Sequence, residues 1–419
     1  MGGTRDVPVP DPVARDYLLL ALRLDRHLPG TVDGYFGPAD LKARVDGEQL
    51  RPATHLAEDA VALRGRLAGE VAEPDRRDWL DLQLAALETL ARACAGEPIG
   101  YLEHVGRCLA VVPGRRPPEL FQDAAGRLDS LLPGTGDLAS RLAAEDESWT
   151  VPPERVPAIA DALVSRFRQR AAGEFELPPG EDLQLRMVRN QPWSGYNWYD
   201  GGYRSRVDIN LDLPIRLPSL IGTVAHETYP GHHLEHARKE QVLVEGLGHL
   251  EAAILLINTP ECLISEGLAN AGRDLAVLPE ERDQLLDELA GLARVPLAGD
   301  ASSLAASIGR QASIARQRSI LEETRVNAAL MLHEDGRPRD EVRDYLVEVG
   351  RLAPASADKR LEFMEHPLWR TYIVVYPEGE SLVRRWLDMV PAARRPARFG
   401  RLLAEPLTPP AIEAEIARG

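Results

Sequence analysis

The stretch Thr223-Val-Ala-His226-Glu227-Thr-Tyr-Pro230-Gly231-His232-His233-Leu-Glu235-His236 reads as a helix that stops at a Pro-Gly pair and then starts again. The spacing predicts a helix over 218–240 with a proline break. Four of the ten histidines in the chain fall inside this window, with a carboxylate directly after the first. Imidazole is the commonest nitrogen donor to zinc, and His-Glu on a helix sets a ligand beside a general base for a metal-activated water.

The usual peptidase spacing, His-Glu-x-x-His, is absent. From His226 the next histidines come at i+6 and i+7. On an unbroken helix the first would point roughly 240° away and the second would lie about 10.5 Å along the axis. Pro230 removes a helical hydrogen bond and disfavours α geometry at Tyr229, while Gly231 tolerates the dihedrals that an excursion needs. A two-residue excursion returns His232 to the place that i+4 normally takes. His232 is therefore the first choice for the second ligand, with His233 the alternative. Whichever of the two does not ligate is expected over the substrate as a hydrogen-bond donor.

A third ligand is offered by Glu266, in Pro260-Glu261-Cys-Leu-Ile-Ser-Glu266-Gly-Leu-Ala-Asn270-Ala-Gly-Arg-Asp274. It sits on a strongly helical segment flanked by small residues that let another helix approach. Two imidazoles and one carboxylate with an open fourth position are a hydrolytic zinc arrangement. Glu261 is a weaker candidate, because a carboxylate at a helix start is explained by the helix dipole. Asn270 and Asp274 are candidates for supporting the ligands from behind.

Outward from this window the chain reads as mainly α. Segments 12–27, 57–69, 78–95, 117–131 and 154–173 precede it; 260–277, 279–294, 303–333, 338–350, 356–365 and 379–388 follow. Two regions are expected: an N-terminal helical one over 1–175 and a metal-bearing one over 176–419, or else one continuous helical domain. Alternation between 183 and 211 marks the best strands, with Leu183, Leu185 and Met187 on one and Val207 and Ile209 on the other. Between them lies the aromatic run Pro192-Trp-Ser-Gly-Tyr-Asn-Trp-Tyr-Asp-Gly-Gly-Tyr203. It reads either as the packed loop of a small hairpin or as side-chain pockets beside a strand edge that holds an extended peptide. The run Leu28 to Pro38 carries Asp33 and Tyr35, which could reach a ligand, but a plain interhelical turn is the simpler reading.

The 419 residues carry a formal net charge of −16, which argues against a nucleic-acid partner. No apolar run of about 20 residues is present to span a bilayer, and the start of the chain shows no apolar leader core. A cytoplasmic protein with no membrane partner is the expectation. Cys94, Cys108 and Cys262 are scattered and odd in number, so they read as small buried side chains rather than a disulfide framework or thiolate site.

The motif His226-Glu227-x-x-Pro-Gly-His232-His233-Leu, followed by the Glu266-Gly helix, resembles the broad bacterial DUF885 family of zincin-like, gluzincin-related metallopeptidases. The resemblance implies a large helical zincin-like fold with a small sheet beside the metal helix, one zinc per chain, and hydrolysis of a peptide or small amide. It carries His226 and His232 or His233 over as ligands, Glu227 as general base and Glu266 as third ligand. His333-Glu-Asp-Gly336 and Tyr376-Pro-Glu-Gly379 are similar to two further segments of that family. The chain departs from the pattern at Ala329, where an acid is frequent, and at Glu235, where glutamine is. The resemblance spans about 180 to 390.

Tyr376 or His333 is then the candidate donor to the oxyanion, and Arg370 with Tyr372 the candidate pair for a substrate's terminal carboxylate. A packed tyrosine, a helix-end histidine and a solvated arginine are the competing readings. Two other functions stay open from sequence: a catalytically silent helical scaffold that holds a metal, and a metal-dependent hydrolase of non-peptide amides or esters.

Overall fold

The structure is a computed structural model that describes residues 10–191 and 193–419. The start of the chain, read above for a leader, and Pro192 of the aromatic run lie outside the described residues.

Helices dominate, as the apolar spacing predicts. The first five expected segments appear as Pro12–Asp25, Ala53–Glu70, Pro74–Cys94, Pro118–Leu131 and Val156–Glu174. Their starts follow local chemistry: proline occupies the first helical turn of four of them, where no backbone N–H is needed, and Asp11 accepts a hydrogen bond from Ala14 N at 2.8 Å. Shorter helices that the spacing did not single out, such as Tyr101–Leu109 and Leu138–Ser148, fill the gaps. The expected helix over 303–333 is two helices, Ala301–Glu322 and Thr324–His333.

Among the described residues three small sheets punctuate the helices. The largest has Arg204–Asn210 in the middle, parallel to Asp182–Val188 and antiparallel to Gly195–Gly201. The aromatic run is thus an edge strand, not a hairpin loop, and the two strands read from alternation pair in parallel. Val32–Tyr35 pairs with Ile254–Leu256, and Thr150–Val151 with Ile215–Arg216. The stretch around Asp33 is therefore a strand where a plain turn was the simpler expectation; Val32 and Tyr35 pack against the core from it.

Among the described residues the main cluster of buried side chains runs from Val13 to Ile412, with members on both sides of residue 175, and smaller clusters gather around Phe121 and around Tyr199. No helix among the described residues is long and apolar enough to cross a membrane.

Candidate metal centre

The apolar helix Leu217–Glu227 buries Leu217, Leu220, Val224 and Ala225. It ends where Thr228 leaves helical dihedrals at φ −119°, ψ −96°, while its N–H and hydroxyl both bond to Val224 O. The chain turns through a cis Tyr229–Pro230 peptide and restarts as helix at His232. Gly231 is required by space: a Cβ there would lie 1.8 Å from the carbonyl oxygen of His226. So the second helix begins directly against the end of the first, and the His226 and His232 rings stand perpendicular with centroids 4.7 Å apart.

Both rings face Glu266, on the helix Pro260–Ala276. His226 Nε2 lies 3.3 Å and His232 Nε2 3.8 Å from Glu266 Oε2. That oxygen is buried and has no hydrogen bond, whereas Oε1 accepts one from the Tyr372 hydroxyl at 2.6 Å. Burial alone would raise the Glu266 carboxyl, but the two imidazoles hold it well below the usual carboxylate range. Against the same burial, Glu235 and Glu266 raise the His232 imidazole. Three side chains thus offer one donor atom each around a common point. A divalent ion of borderline softness suits this His2Glu set, since it satisfies the orphaned oxygen and the charge together.

The candidate donors are braced from behind. His232 Nδ1 lies 3.4 Å from Glu235 Oε2 and 3.2 Å from Ser265 Oγ, and Ser265 donates to the same Glu235 oxygen at 2.6 Å. Lys239 donates to Glu235 Oε1 at 2.7 Å and also to Glu261, whose other oxygen accepts from Trp79 Nε1 at 2.8 Å. His232, Glu235 and His236 are also close enough to share an ion. Because Lys239 and Ser265 already occupy both Glu235 oxygens, Glu235 acts there as a support for His232. A carboxylate on the far nitrogen fixes the tautomer that leaves Nε2 free to ligate. On the other ring, Arg273 Nη2 lies 3.3 Å from His226 Nδ1.

This bracing differs from the sequence expectation. Asp274 is tied to Arg282 and Arg384 instead of to a ligand, and Glu261 is held by Lys239 and Trp79. Ser265, Lys239 and Tyr372 do the supporting work. A serine one residue before Glu266 and a lysine at i+4 from Glu235 were the available signals.

The three donors open onto a cavity of about 310 Å³ that is also lined by Glu227, Tyr376 and Trp193. Glu227, the last residue of its helix, has its backbone carbonyl bonded by Asn197 Nδ2 at 2.7 Å. Gly195, on the edge strand, packs against the Glu227 side chain, where a Cβ would come 3.3 Å from Cγ and Oε1. Tyr376 and Tyr372 hydroxyls are 3.2 Å apart. Because the single Tyr372 proton goes to Glu266, Tyr376 is the donor in that contact. Burial and the nearby Glu266 charge push the Tyr376 hydroxyl far above its usual value, so it stays a proton donor.

The remaining sequence candidates lie elsewhere. His233, fully buried, points away from the cavity, with Nδ1 2.8 Å from Ser205 Oγ and Nε2 2.9 Å from Glu181 Oε2. Consecutive helical residues diverge by about 100°, so only one of the pair can face Glu266. His233 is thus neither the alternative ligand nor the substrate donor in this geometry; it anchors the turn. His333 stacks on Tyr101 with centroids 4.7 Å apart and donates to Met364 O at 3.0 Å. Arg370 lies over the Tyr101 ring. Neither reaches the cavity lining.

No family model matches the chain, and no curated protein matches it. Among solved structures it is similar over 99% of its length to a protein of Colwellia psychrerythraea described as a "putative lipoprotein". The TM-score is 0.52 at 14% identity, with 77% of that chain covered, a likeness of fold alone. A second "putative lipoprotein of unknown function", from Shewanella oneidensis, gives a TM-score of 0.49 at 10% identity over 96% of this chain and 82% of that one. Trypanosoma cruzi metallocarboxypeptidase 1 gives 0.37 at 15% identity over 97% and 89%.

Proposed function

We propose that the chain is a zinc-dependent hydrolase that cleaves peptide bonds, of the DUF885 kind that its motif resembles. The supporting observation is the buried, unbonded Glu266 Oε2 with His226 Nε2 and His232 Nε2 converging on it. His226, His232 and Glu266 would hold the ion with three protein donors, the number that distinguishes hydrolytic from structural zinc sites. Zinc held there supplies Lewis acidity to a carbonyl and to a water.

The protein's own groups do the rest. Glu227, on the same cavity and next to the first ligand, takes the water's proton and returns it to the leaving amine. Tyr376, kept protonated, donates to the oxyanion by turning its hydroxyl from Tyr372. Gly195–Gly201 is an edge strand, and Gly195, Tyr196 and Asn197 line the cavity, so an extended substrate can pair its main chain there.

Zinc-loaded protein is expected to carry one zinc per chain and to cleave members of a peptide library, read by mass spectrometry with and without chelator. Glu227→Gln should lower turnover by about 10²–10⁴-fold while zinc content is unchanged. Full activity in that variant, or protein that stays metal-free in zinc, overturns the reading.

A further inference from the structure

Asp33 is the acid in the cavity that the metal centre does not explain. It projects from the strand Val32–Tyr35 into the cavity lining, where its hydrogen-bond partner is the Tyr196 hydroxyl. Among the described residues no arginine, lysine or histidine forms an ion pair with it. Both long basic side chains that reach the cavity are already committed. Arg76 bridges Glu251 and Asp11, and Lys239 bridges Glu235 and Glu261. Burial pushes the Asp33 carboxyl up to about 7, with the Glu266 and Glu227 charges adding to the rise and His232 opposing it. Its partner is thus a neutral hydroxyl, with no basic side chain among the described residues in direct contact.

The surroundings suit a cation. Tyr196, the Asp33 partner, packs against Trp193 and Trp198 with centroids 5.4 and 4.4 Å apart. Trp193 and Phe36 line the same cavity. Aromatic faces beside a carboxylate attract an ammonium group more strongly than either feature alone. The net charge of −16 favours the approach of such a substrate.

We propose that Asp33 binds an alkylammonium group of the substrate, so that the preferred peptides or small amides carry a free amine near the scissile bond. This rests on the hydrolase reading above. The amine can be a free N-terminus or a lysine side chain, and these two sources share one chemistry.

The test compares matched peptides on zinc-loaded enzyme: Leu-Gly-Gly against its acetylated form, and acetyl-Lys-Gly-Gly against acetyl-norleucine-Gly-Gly. At least one charged member should exceed its neutral partner in kcat/KM by about 10- to 100-fold, the worth of one hydrogen bond to a charged group. The first pair reports an N-terminal amine and the second a side chain. Asp33→Asn should erase that preference, bringing the ratio of charged to neutral kcat/KM to about one. Calorimetric binding of the same four peptides to Glu227→Gln protein reads the preference without turnover. Cleavage with no preference for charge overturns the Asp33 role and leaves the metal centre standing. Absence of all cleavage, together with tighter binding of charged peptides, removes the hydrolase and keeps Asp33. Equal binding of charged and neutral peptides removes the Asp33 role, and so does a uniform loss in Asp33→Asn.

Discussion

Gly267 and Gly379 meet back to back, so closely that a Cβ on Gly267 would lie 2.4 Å from the Gly379 carbonyl oxygen. The contact brings the helix Val375–Asp388 onto Pro260–Ala276 and sets Tyr376, one turn before Gly379, against Glu266, the residue before Gly267. An obstruction made of backbone cannot swing aside as a side chain can. Gly267→Ala should therefore destabilise the protein by about 1–3 kcal/mol in chemical denaturation, despite alanine's better helix propensity. Gly309→Ala, at an exposed helical glycine with open space around its Cβ position, should stabilise by up to about 1 kcal/mol. Equal stabilisation by the two substitutions would show that the helices are not in contact there.

Tyr372 donates to the Glu266 oxygen that does not face the imidazoles, which fixes the carboxylate's rotation. Removing such a support typically weakens a metal site by about 10–100-fold. Tyr372→Phe should show that loss in a zinc competition titration against a chromogenic chelator, with the fold intact by circular dichroism. Unchanged zinc affinity would mean that Glu266 is oriented by its packing alone. Sequence pairs Tyr372 with Arg370, two residues before it, but the two diverge: Tyr372 faces Glu266 while Arg370 lies over Tyr101.

What could be read in advance follows from how local each signal is. The helices announced themselves through apolar spacing, and the Pro-Gly break located the excursion that sets His232 beside His226. Glu266 was legible because its neighbour is glycine on a strongly helical segment. Asp33 was half legible: the run around it allowed it to reach a ligand, yet a plain turn was the simpler reading, since its place in the cavity depends on pairing between strands more than 200 residues apart, Val32–Tyr35 and Ile254–Leu256. The parallel pairing of Asp182–Val188 with Arg204–Asn210 escaped for a related reason: alternation identifies a strand and says nothing of its partner's direction. Choosing between His232 and His233 needed the phase of the restarted helix, which the local sequence leaves undetermined by one residue.

Glu181 locks the far side of that turn. One of its oxygens accepts from His233 Nε2 at 2.9 Å and from the Tyr229 hydroxyl, the other from Arg168 Nε at 2.7 Å. Burial raises its carboxyl, yet the hydrogen bonds from His233 and Tyr229 and the Arg168 charge outweigh burial and leave it below the ordinary value of 4.5. A carboxylate depressed in the folded state contributes stability that is fully present above the unfolded value and is lost as pH falls through the folded one. The stability gap between wild type and Glu181→Gln should therefore be constant near neutrality and close below about pH 4.5. Urea denaturation at a series of pH values measures it, and a gap that stays level into acid would assign the loss to packing.

Tyr376 and His333 were equal candidates for the oxyanion donor, and their surroundings separate them. Tyr376 lines the cavity, is held as a donor toward Tyr372, and feels the charges of Glu266 and Glu227. His333 is spent on Met364 O and the Tyr101 ring, and burial with the Arg370 charge pushes its imidazole down, so it offers neither reach nor charge. A donor that acts only on the developing charge changes kcat more than KM. Tyr376→Phe should therefore lower kcat by about 10²–10³-fold with KM nearly unchanged. His333→Gln should keep kcat within a few-fold and lose about 1 kcal/mol of stability with its hydrogen bond. The comparison is sharp because each substitution removes the candidate donor itself, the phenol hydroxyl in one and the imidazole in the other. If His333→Gln matches Tyr376→Phe in kcat, the donor reaches the substrate by a route that this geometry does not contain.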